Sequence, residues 1–318
     1  MSDSTGHSES GTSAAPISFP EKLRELWSIF RMRLADLSRP ASAEGILADV
    51  AEYDAVLRQY AGRGLAGAKA FEVGFGARPL RLFALAAWGA DVTGSDLDVP
   101  LIHGSPREFA AMMRRNGPER AVKSALRFAF FDLKERHDLK KLLRARGLEM
   151  KVEPQRLIVA DAAALPIPEG SLDLIYSEDV FEHIPADAIG VLTAKMARWL
   201  KPSGLALIRP NVFPGIVGGH LAEWFPQVVN DRNRRRRSEP WEHLRRRRFR
   251  PNTYLNELSR ASYRELFAPN FEILEERVKD PGLGRAYLTA EVAGELNEWP
   301  EEELFSNQTL FVLRPRRA

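Results

Sequence analysis

The stretch Phe71-Glu72-Val73-Gly74-Phe75-Gly76-Ala77-Arg78-Pro79 decides the fold of this chain. Residues 69–75 are mostly apolar, and such a short run predicts a buried strand. Gly74 and Gly76 then permit a tight turn and a close approach of the backbone to a ligand. Pro79 suits the start of a helix, because its ring already holds φ near the helical value. The stretch therefore predicts a strand, a glycine turn and a helix in succession.

An acid follows this unit at the end of the next strand-like run, residues 90–96. A carboxylate there, Asp96, can accept hydrogen bonds from the two hydroxyls of a ribose. Together with the glycine turn it indicates a cofactor that contains a nucleoside. A pyrophosphate dinucleotide usually has a third glycine, where this chain has Arg78. Glu72 would be a poor neighbour for a pyrophosphate and a good one for a cationic amino-acid group.

These features resemble the class I S-adenosylmethionine-dependent methyltransferases of the type 11-like group, whose first motif is an acid-x-Gly-x-Gly turn. Four later segments follow the order of that family, at residues 157–162, 171–177, 178–184 and 200–208. The resemblance implies an α/β fold, with a Rossmann-like, mostly parallel sheet of seven strands and helices on both faces. It implies that the last two strands are antiparallel. It also implies a cytoplasmic enzyme that transfers a methyl group from S-adenosylmethionine.

The resemblance assigns a set of residues to the cofactor: Glu72, Gly74, Gly76, Asp96, Asp161, Ala162 and Glu178. In this assignment Glu72 holds the amino-acid end of the cofactor and Asp96 holds the ribose. Asp161 reaches the adenine amine, and Ala162 adds a backbone contact. Two alternatives stay open: Glu72 could cap the following helix, and Asp161 could cap the turn that follows it.

Two histidines are the candidate catalytic residues. His183 ends the pattern Asp179-x-x-Glu182-His183, and His220 follows two glycines in the long segment after the fifth strand. A hydroxyl acceptor must lose a proton, so a base or a metal helps, whereas an amine needs little more than a desolvating pocket. Some related O-methyltransferases bind a divalent cation through Glu-x-x-Glu-His, so Asp179, Glu182 and His183 are possible ligands. We expect no metal, and activity that survives a chelator; a structural role is the alternative for each histidine.

Charge is concentrated in residues 232–250, which contain ten arginines and two glutamates. Eight of the arginines form two runs of four, a first run at 234–237 and a second run at 245–248. The formal net charge of the chain is +3, so the other residues sum to −5. Arginine binds phosphate and carboxylate well, because its planar group can donate to both oxygens. We predict that this segment guides a small-molecule or saccharide acceptor, including an anionic one. The alternatives are an RNA methyltransferase that binds nucleic acid through the arginines, a non-catalytic cofactor-binding protein, and a solvated charged loop.

The length of 318 residues and a hydrophobic content of 44% suit one large domain with insertions. Residues 1–18 are predicted to be a disordered tail, since they lack the apolar core of a signal peptide. Residues 19–62 are predicted to form a helical cap, with one helix at 20–38 and a second helix that Ser42 can cap. The second helix has apolar residues at helical spacing, namely Ile46, Val50, Tyr53, Leu57 and Tyr60. The methyltransferase domain then covers 63–318, with a helical insertion at about 101–152 and an acceptor-binding, basic insertion at 212–268. In the helical insertion, Ser105-Pro106-Arg107-Glu108 is a capping-box pattern that predicts the start of a helix. The absence of cysteine excludes disulfides and thiol catalysis, and no apolar run approaches the roughly 20 residues of a membrane span.

Overall fold

The computed structural model describes residues 41–231, 235–249, 251 and 253–317. In this part of the chain the strands are β1 (Lys69–Val73), β2 (Asp91–Asp96), β3 (Leu157–Val159), β4 (Leu172–Glu178), β5 (Leu200–Arg209), β6 (Phe271–Val278) and β7 (Thr309–Pro315). They form one sheet in the order β3-β2-β1-β4-β5-β7-β6. Strands β1 to β5 are parallel, and β7 is antiparallel to both of its neighbours. The predicted seven-stranded, mostly parallel, Rossmann-like sheet is confirmed.

The α-helices of the described residues are α1 (Ala41–Ala61), α2 (Leu80–Ala87), α3 (Pro106–Asn116), α4 (Pro118–Arg127), α5 (Leu133–Arg144), α6 (Ala186–Trp199), α7 (Pro226–Val229), α8 (Glu242–Arg245), α9 (Arg260–Phe267), α10 (Ala290–Glu295) and α11 (Glu301–Leu304). A π-helical turn, Phe128–Asp132, joins α4 to α5. None of these helices is both long enough and apolar enough to cross a membrane.

The two faces of the sheet carry separate hydrophobic layers, because side chains alternate along a strand. Ala70 and Leu174 belong to the layer that includes α1, α2 and α5. The residues next to them, Phe71 and Ile175, belong to the layer that includes α6 and α9. Both faces are therefore covered, as is usual for a parallel sheet. The strands are nearly continuous apolar runs in the sequence because both faces of the sheet are buried.

The helical insertion after β2 begins as predicted. The backbone N–H of Glu108 donates to Ser105 Oγ at 3.3 Å, and the N–H of Ser105 donates to the Glu108 carboxylate at 3.1 Å. This reciprocal pair is a capping box and marks the start of α3. Helices α3 and α4 build a small apolar cluster around Met112 and Ala121. Helix α5 packs instead against the main layer with α1 and α2, through Leu139 and Leu143.

The predicted tail at 1–18 and the predicted helix at 20–38 lie outside the residues that the structure describes. The prediction that Ser42 caps the second helix is wrong, because Ser42 already lies inside α1. The apolar positions predicted for that helix are confirmed: Val50, Tyr53 and Leu57 are buried against the sheet.

The topology creates a crevice at one edge of the sheet. From β1 the chain runs outward through β2 to β3, and it then returns to β4 on the other side of β1. Ligands of open α/β sheets bind at such a switch point, beyond the carboxyl ends of the strands. Gly74, Asp96, Glu178 and Arg209 all lie at this edge, each at or just after the end of its strand.

Candidate active site

The glycine turn is built from two positions with different requirements. Gly74 and Gly76 have φ angles of +81° and +63°, where residues with a side chain are strained. A Cβ atom at Gly74 would collide with the side chain of Val180, whereas one at Gly76 would meet only the backbone nitrogen of Arg78, at 4.0 Å. Gly74 thus permits close packing of the segment after β4, and Gly76 leaves open space beside the turn.

Asp96 is fixed against this turn. One oxygen of its carboxylate accepts from the backbone N–H of Gly76 and the other from that of Asp98, both at 2.7 Å. Burial raises the pKa of Asp96, and these two hydrogen bonds oppose the shift. The structure therefore places Asp96, the residue predicted to bind the ribose, against the predicted turn. The contact with the ribose itself stays a prediction.

Glu72 lies beneath the turn, with only 2% of its surface exposed. The hydroxyl of Tyr176 donates to its carboxyl group at 3.0 Å. Burial raises the pKa of Glu72 to about 8, although Arg81 and the Tyr176 hydrogen bond act in the opposite direction. Helix α2 has no side-chain cap, so the alternative role of Glu72 as a cap is wrong. A carboxyl group that is largely neutral at pH 7 would ionise when a cation approaches it.

Asp161 caps the turn that follows it. Its Oδ1 accepts from the backbone N–H of Ala163 at 2.9 Å, at the start of the 3-10 turn Ala162–Ala164. Asp161 is exposed and Ala162 is buried. The alternative capping role is therefore observed, and the adenine contacts of both residues stay predictions.

Glu178 belongs to a buried polar cluster between the sheet and α1. The hydroxyl of Tyr53 donates to one oxygen of Glu178, and Arg209 donates to the other at 3.3 Å. Arg209 also donates to Asp49 at 3.0 Å. Burial raises the pKa of Glu178 to about 7, against the effect of nearby arginines. Both oxygens of Glu178 are engaged here, so its predicted cofactor contact gains no support from these hydrogen bonds.

The two candidate catalytic histidines meet in space, although they lie far apart in the sequence. The ring centroids of His183 and His220 are 5.1 Å apart, and the rings are nearly perpendicular at 85°. His220 Nε2 is 3.8 Å from Glu182 Oε1. One nitrogen or oxygen from each of these three residues lies within 4.8 Å of the other two. The side chain of Val180, which packs on Gly74, comes from the same segment as Glu182 and His183.

Burial dominates the electrostatics of this cluster. Glu182 is 3% exposed; its Oε1 accepts from Asn211 Nδ2 at 2.7 Å, while its Oε2 is buried without a hydrogen-bond partner. Burial, with the nearby carboxylate of Asp179, raises the pKa of Glu182 to about 8. Burial and the neighbouring imidazoles lower the pKa of His220 to about 4. Glu182 and His220 are therefore both largely uncharged near pH 7.

Residues without an assigned role in the sequence hold this cluster in place. The carbonyl of Tyr254 lies 2.8 Å from Nδ1 of His183. Asn256 Nδ2 donates to the carbonyls of Phe181 and Ile184, at 2.7 and 2.9 Å. Tyr254 and Asn256 are an aromatic and a polar residue in the sequence, but nothing in the sequence indicates that they contact this cluster. Asn211 was missed, and its position directly after β5 was the available signal, since it shares the sheet edge with the other site residues.

The arginine-rich segment finds most of its partners inside the protein. Arg245 contacts Glu295 at 2.8 Å and Glu239 at 3.1 Å, and only 4% of its side chain is exposed. Arg248 pairs with Glu242 at 2.8 Å. These pairs neutralise much of the second arginine run.

The first run is also partly structural. The guanidinium group of Arg236 lies 4.5 Å from the ring centroid of Trp224 and 5.2 Å from that of Tyr287. It also donates to the backbone carbonyls of Val228 and Val229, both at 2.9 Å. Arg232, Arg234 and Arg250 are outside the described residues. Among the arginines that the structure describes, Arg236, Arg245 and Arg248 stabilise the segment after β5 through these contacts.

Residues 134–208 match the family model described as "Methyltransferase domain". The resemblance inferred from the sequence is confirmed. The match runs from α5 to β5 and does not include the glycine turn. The assignment of that turn therefore rests on its motif, its place in the sheet and its contacts.

Relatives with curated sequences match over short segments. An uncharacterized methyltransferase of Mycobacterium ulcerans (strain Agy99) is 37% identical over 67 residues, which cover 21% of this chain and 26% of the relative. Another, from Mycobacterium avium (strain 104), is 33% identical over 78 residues, which cover 24% and 30%. The matched segments span less than a third of the length of these relatives.

Solved structures match more of the chain at low identity. The 1,6-didemethyltoxoflavin-N1-methyltransferase of Burkholderia thailandensis, solved with S-adenosylhomocysteine, is 13% identical, with a TM-score of 0.41 and coverage of 98% of this chain and 99% of that one. Magnesium protoporphyrin IX methyltransferase from Synechocystis PCC 6803 is also 13% identical, with a TM-score of 0.40 and coverage of 94% and 89%.

Proposed function

We propose that this protein is a methyltransferase that uses S-adenosylmethionine and methylates an oxygen atom of a polar small molecule or saccharide. The observation that carries the proposal is the packing of Val180 on Gly74. This contact sets the segment with Glu182 and His183 against the glycine turn, so that a cofactor crevice and a polar cluster adjoin. The family match over residues 134–208 supports methyl transfer as the reaction.

S-adenosylmethionine supplies a methyl group on a positively charged sulfur, which an acceptor oxygen can attack directly. The residues of the chain bind the cofactor and the acceptor, orient them for the reaction and exclude water. Asp96, held by Gly76, faces the ribose in this proposal. Glu72 faces the cationic amino-acid end, whose charge would favour ionisation of its buried carboxyl group. Asp161 and Ala162 flank the adenine.

The histidines adjoin the site of methyl transfer, and this favours oxygen as the acceptor atom. An alcohol is a weak nucleophile until its proton is removed. His183 and His220 are the catalytic residues of the proposal, since they promote the loss of that proton. The internal ion pairs of Arg245 and Arg248 favour a polar acceptor over nucleic acid. The RNA alternative therefore gains no specific support.

Calorimetric titration with S-adenosylhomocysteine tests the cofactor site. We expect one site per chain, and Asp96→Asn should weaken binding by about 1–3 kcal/mol, the scale of a hydrogen bond to a charged group. Asp91→Asn is the matched control: Asp91 starts the strand that Asp96 ends, is exposed, and pairs with Arg156 at 2.7 Å. The control should bind like the wild type.

Methyl transfer is then measured with methyl-labelled S-adenosylmethionine and fractions of polar metabolites. An untargeted comparison of the metabolites of a deletion strain and its parent strain reduces the number of candidate acceptors. Wild-type protein that binds NAD but neither S-adenosylmethionine nor S-adenosylhomocysteine would overturn the proposal. So would equal losses of affinity in the Asp96 and Asp91 variants.

A further inference from the structure

We propose that Glu182, His183 and His220 form a binding site for one divalent transition-metal ion, with zinc(II) as the representative. The three residues offer two imidazole nitrogens and a carboxylate oxygen, all within 4.8 Å of one another. Imidazole suits zinc, iron and nickel rather than magnesium or calcium. The sequence led us to expect no metal, because Glu-His at this position is also widespread without a metal in the class that the chain resembles. His220 was not among the ligands considered.

The carboxyl group of Glu182 is the first support for the site. It is almost fully buried, and Asn211 engages only its Oε1, which leaves Oε2 without a partner. An unpaired buried polar atom is costly and calls for an explanation. A metal ion would provide the missing partner, while the hydrogen bond from Asn211 orients the ligand from behind.

The hydrogen bond of His183 to the backbone fixes its tautomer. A carbonyl oxygen can only accept, so Nδ1 of His183 carries the hydrogen and donates it to the Tyr254 carbonyl at 2.8 Å. The lone pair then lies on Nε2. Metal-bound histidines commonly have this arrangement, in which one ring nitrogen donates to a carbonyl and the other binds the ion.

His220 provides the third support. Its Nε2 is buried without a hydrogen-bond partner, 3.8 Å from Glu182 Oε1. The residue also has a φ angle of +52°. Such backbone strain persists only where the surroundings demand it. Two ligands at about 2.1 Å from one ion are at most about 4.2 Å apart, so small side-chain movements would close the site.

Three protein ligands leave a coordination position open, as in catalytic zinc sites. The role that follows rests on the proposed function: the open position would take the acceptor hydroxyl. A bound cation lowers the pKa of a coordinated hydroxyl group. The proton leaves to solvent, the oxygen forms a bond to the methyl carbon, and the carbon–sulfur bond breaks to give neutral S-adenosylhomocysteine. The histidines then act as ligands rather than as free bases.

The test uses the full chain, freed of metal by a chelator and then titrated with cobalt(II) and zinc(II). We expect one ion per chain, and visible absorption bands of cobalt(II) that zinc(II) abolishes. His220→Asn and Glu182→Gln should each weaken cobalt(II) binding by at least about 100-fold. Loss of a residue that only hydrogen-bonds to a metal ligand already lowers metal affinity by about 10–100-fold. Asparagine tolerates positive φ, so His220→Asn retains the backbone. His137→Asn, on the exposed side of α5, is the matched control and should bind cobalt(II) normally.

S-adenosylhomocysteine binding separates this proposal from the proposed function. We expect the chelated protein and His220→Asn to keep their affinity for S-adenosylhomocysteine within about twofold and to lose methyl transfer; zinc(II) restores transfer to the wild type alone. Absence of stoichiometric cobalt(II) binding to wild type would overturn the metal site. Wild-type affinity for cobalt(II) in His220→Asn or Glu182→Gln would do the same, even if the cofactor binds as proposed.

Discussion

Gly74 and Gly76 have similar backbone conformations, and the structure predicts different results when each is changed to alanine. A left-handed φ costs a residue with a side chain about 1–2 kcal/mol. Both Gly74→Ala and Gly76→Ala incur this cost. Only Gly74→Ala also drives a methyl group into the side chain of Val180, and such overpacking adds about 1–3 kcal/mol. We therefore expect destabilisation of about 2–5 kcal/mol for Gly74→Ala and about 1–2 kcal/mol for Gly76→Ala.

The assay is guanidinium unfolding of the ligand-free proteins, with Val180→Ala as the partner in a double-mutant cycle. Shortening Val180 removes its two methyl groups, which lie within 2.6 Å of the added Cβ, and leaves only its own Cβ at 3.0 Å. Gly74→Ala should therefore cost about 1–3 kcal/mol less in the Val180→Ala background. The same Val180 change should leave the cost of Gly76→Ala unaltered. Equal destabilisation by the two glycine variants, or a Gly74 effect independent of Val180, would refute the packing argument.

Affinity for S-adenosylhomocysteine provides the second half of the comparison. A Cβ at Gly76 has open space in the ligand-free structure, and in the proposed function the cofactor occupies that space. Gly76→Ala should then weaken binding at least tenfold, which is about 1.4 kcal/mol, while its stability falls by only about 1–2 kcal/mol, the cost of the left-handed backbone. Gly76→Ala protein that binds S-adenosylhomocysteine as wild type does would show that the cofactor lies elsewhere.

Three further predictions concern buried charges. The pKa of Glu72 is raised from 4.5 to about 8 in the folded protein, so the wild type should lose stability as the pH rises from 4.5 to 8. Glu72→Gln should abolish up to about 5 kcal/mol of this pH-dependent loss, measured by unfolding at several pH values. Tyr53→Phe removes the donor to Glu178 and should cost about 1–3 kcal/mol; a drop in S-adenosylhomocysteine affinity would instead support the predicted cofactor contact of Glu178. Arg245→Ala should lower stability by about 1–3 kcal/mol through loss of its Glu295 pair and leave the KM for the acceptor unchanged, whereas a raised KM would indicate a role in acceptor binding.

The sequence was most informative about features that depend on local chemistry. The apolar run before Gly74, the capping box at Ser105 and the order of strands and helices all follow from periodicity, turn residues and backbone restrictions. The resemblance added the antiparallel partner strands and the cofactor residues. Asp96 meets the turn as predicted, because the carboxyl ends of adjacent parallel strands share one edge of the sheet.

Long-range partners could not be predicted in this way. Arginine runs in a sequence indicate an anion, but only the fold brings Glu295 to Arg245 and Glu242 to Arg248. Tyr53 was identified as an apolar-face residue, and its hydroxyl partner, Glu178, became apparent only once α1 was placed on the sheet.

The sequence by itself determined the individual strands near the motif, the glycine turn and the positions of Asp96 and His183 after strand ends, because these depend on residues close together in the chain. The order of the strands in the sheet was implied by the resemblance. The tertiary structure alone decided that His220 lies beside Glu182 and His183. That contact depends on the path of the long excursion after β5, which no periodicity or turn signal specifies. Burial in the resulting pocket raises the pKa of Glu182 and lowers that of His220, because desolvation disfavours whichever form carries charge. The chemistry of the cluster therefore comes from its packing.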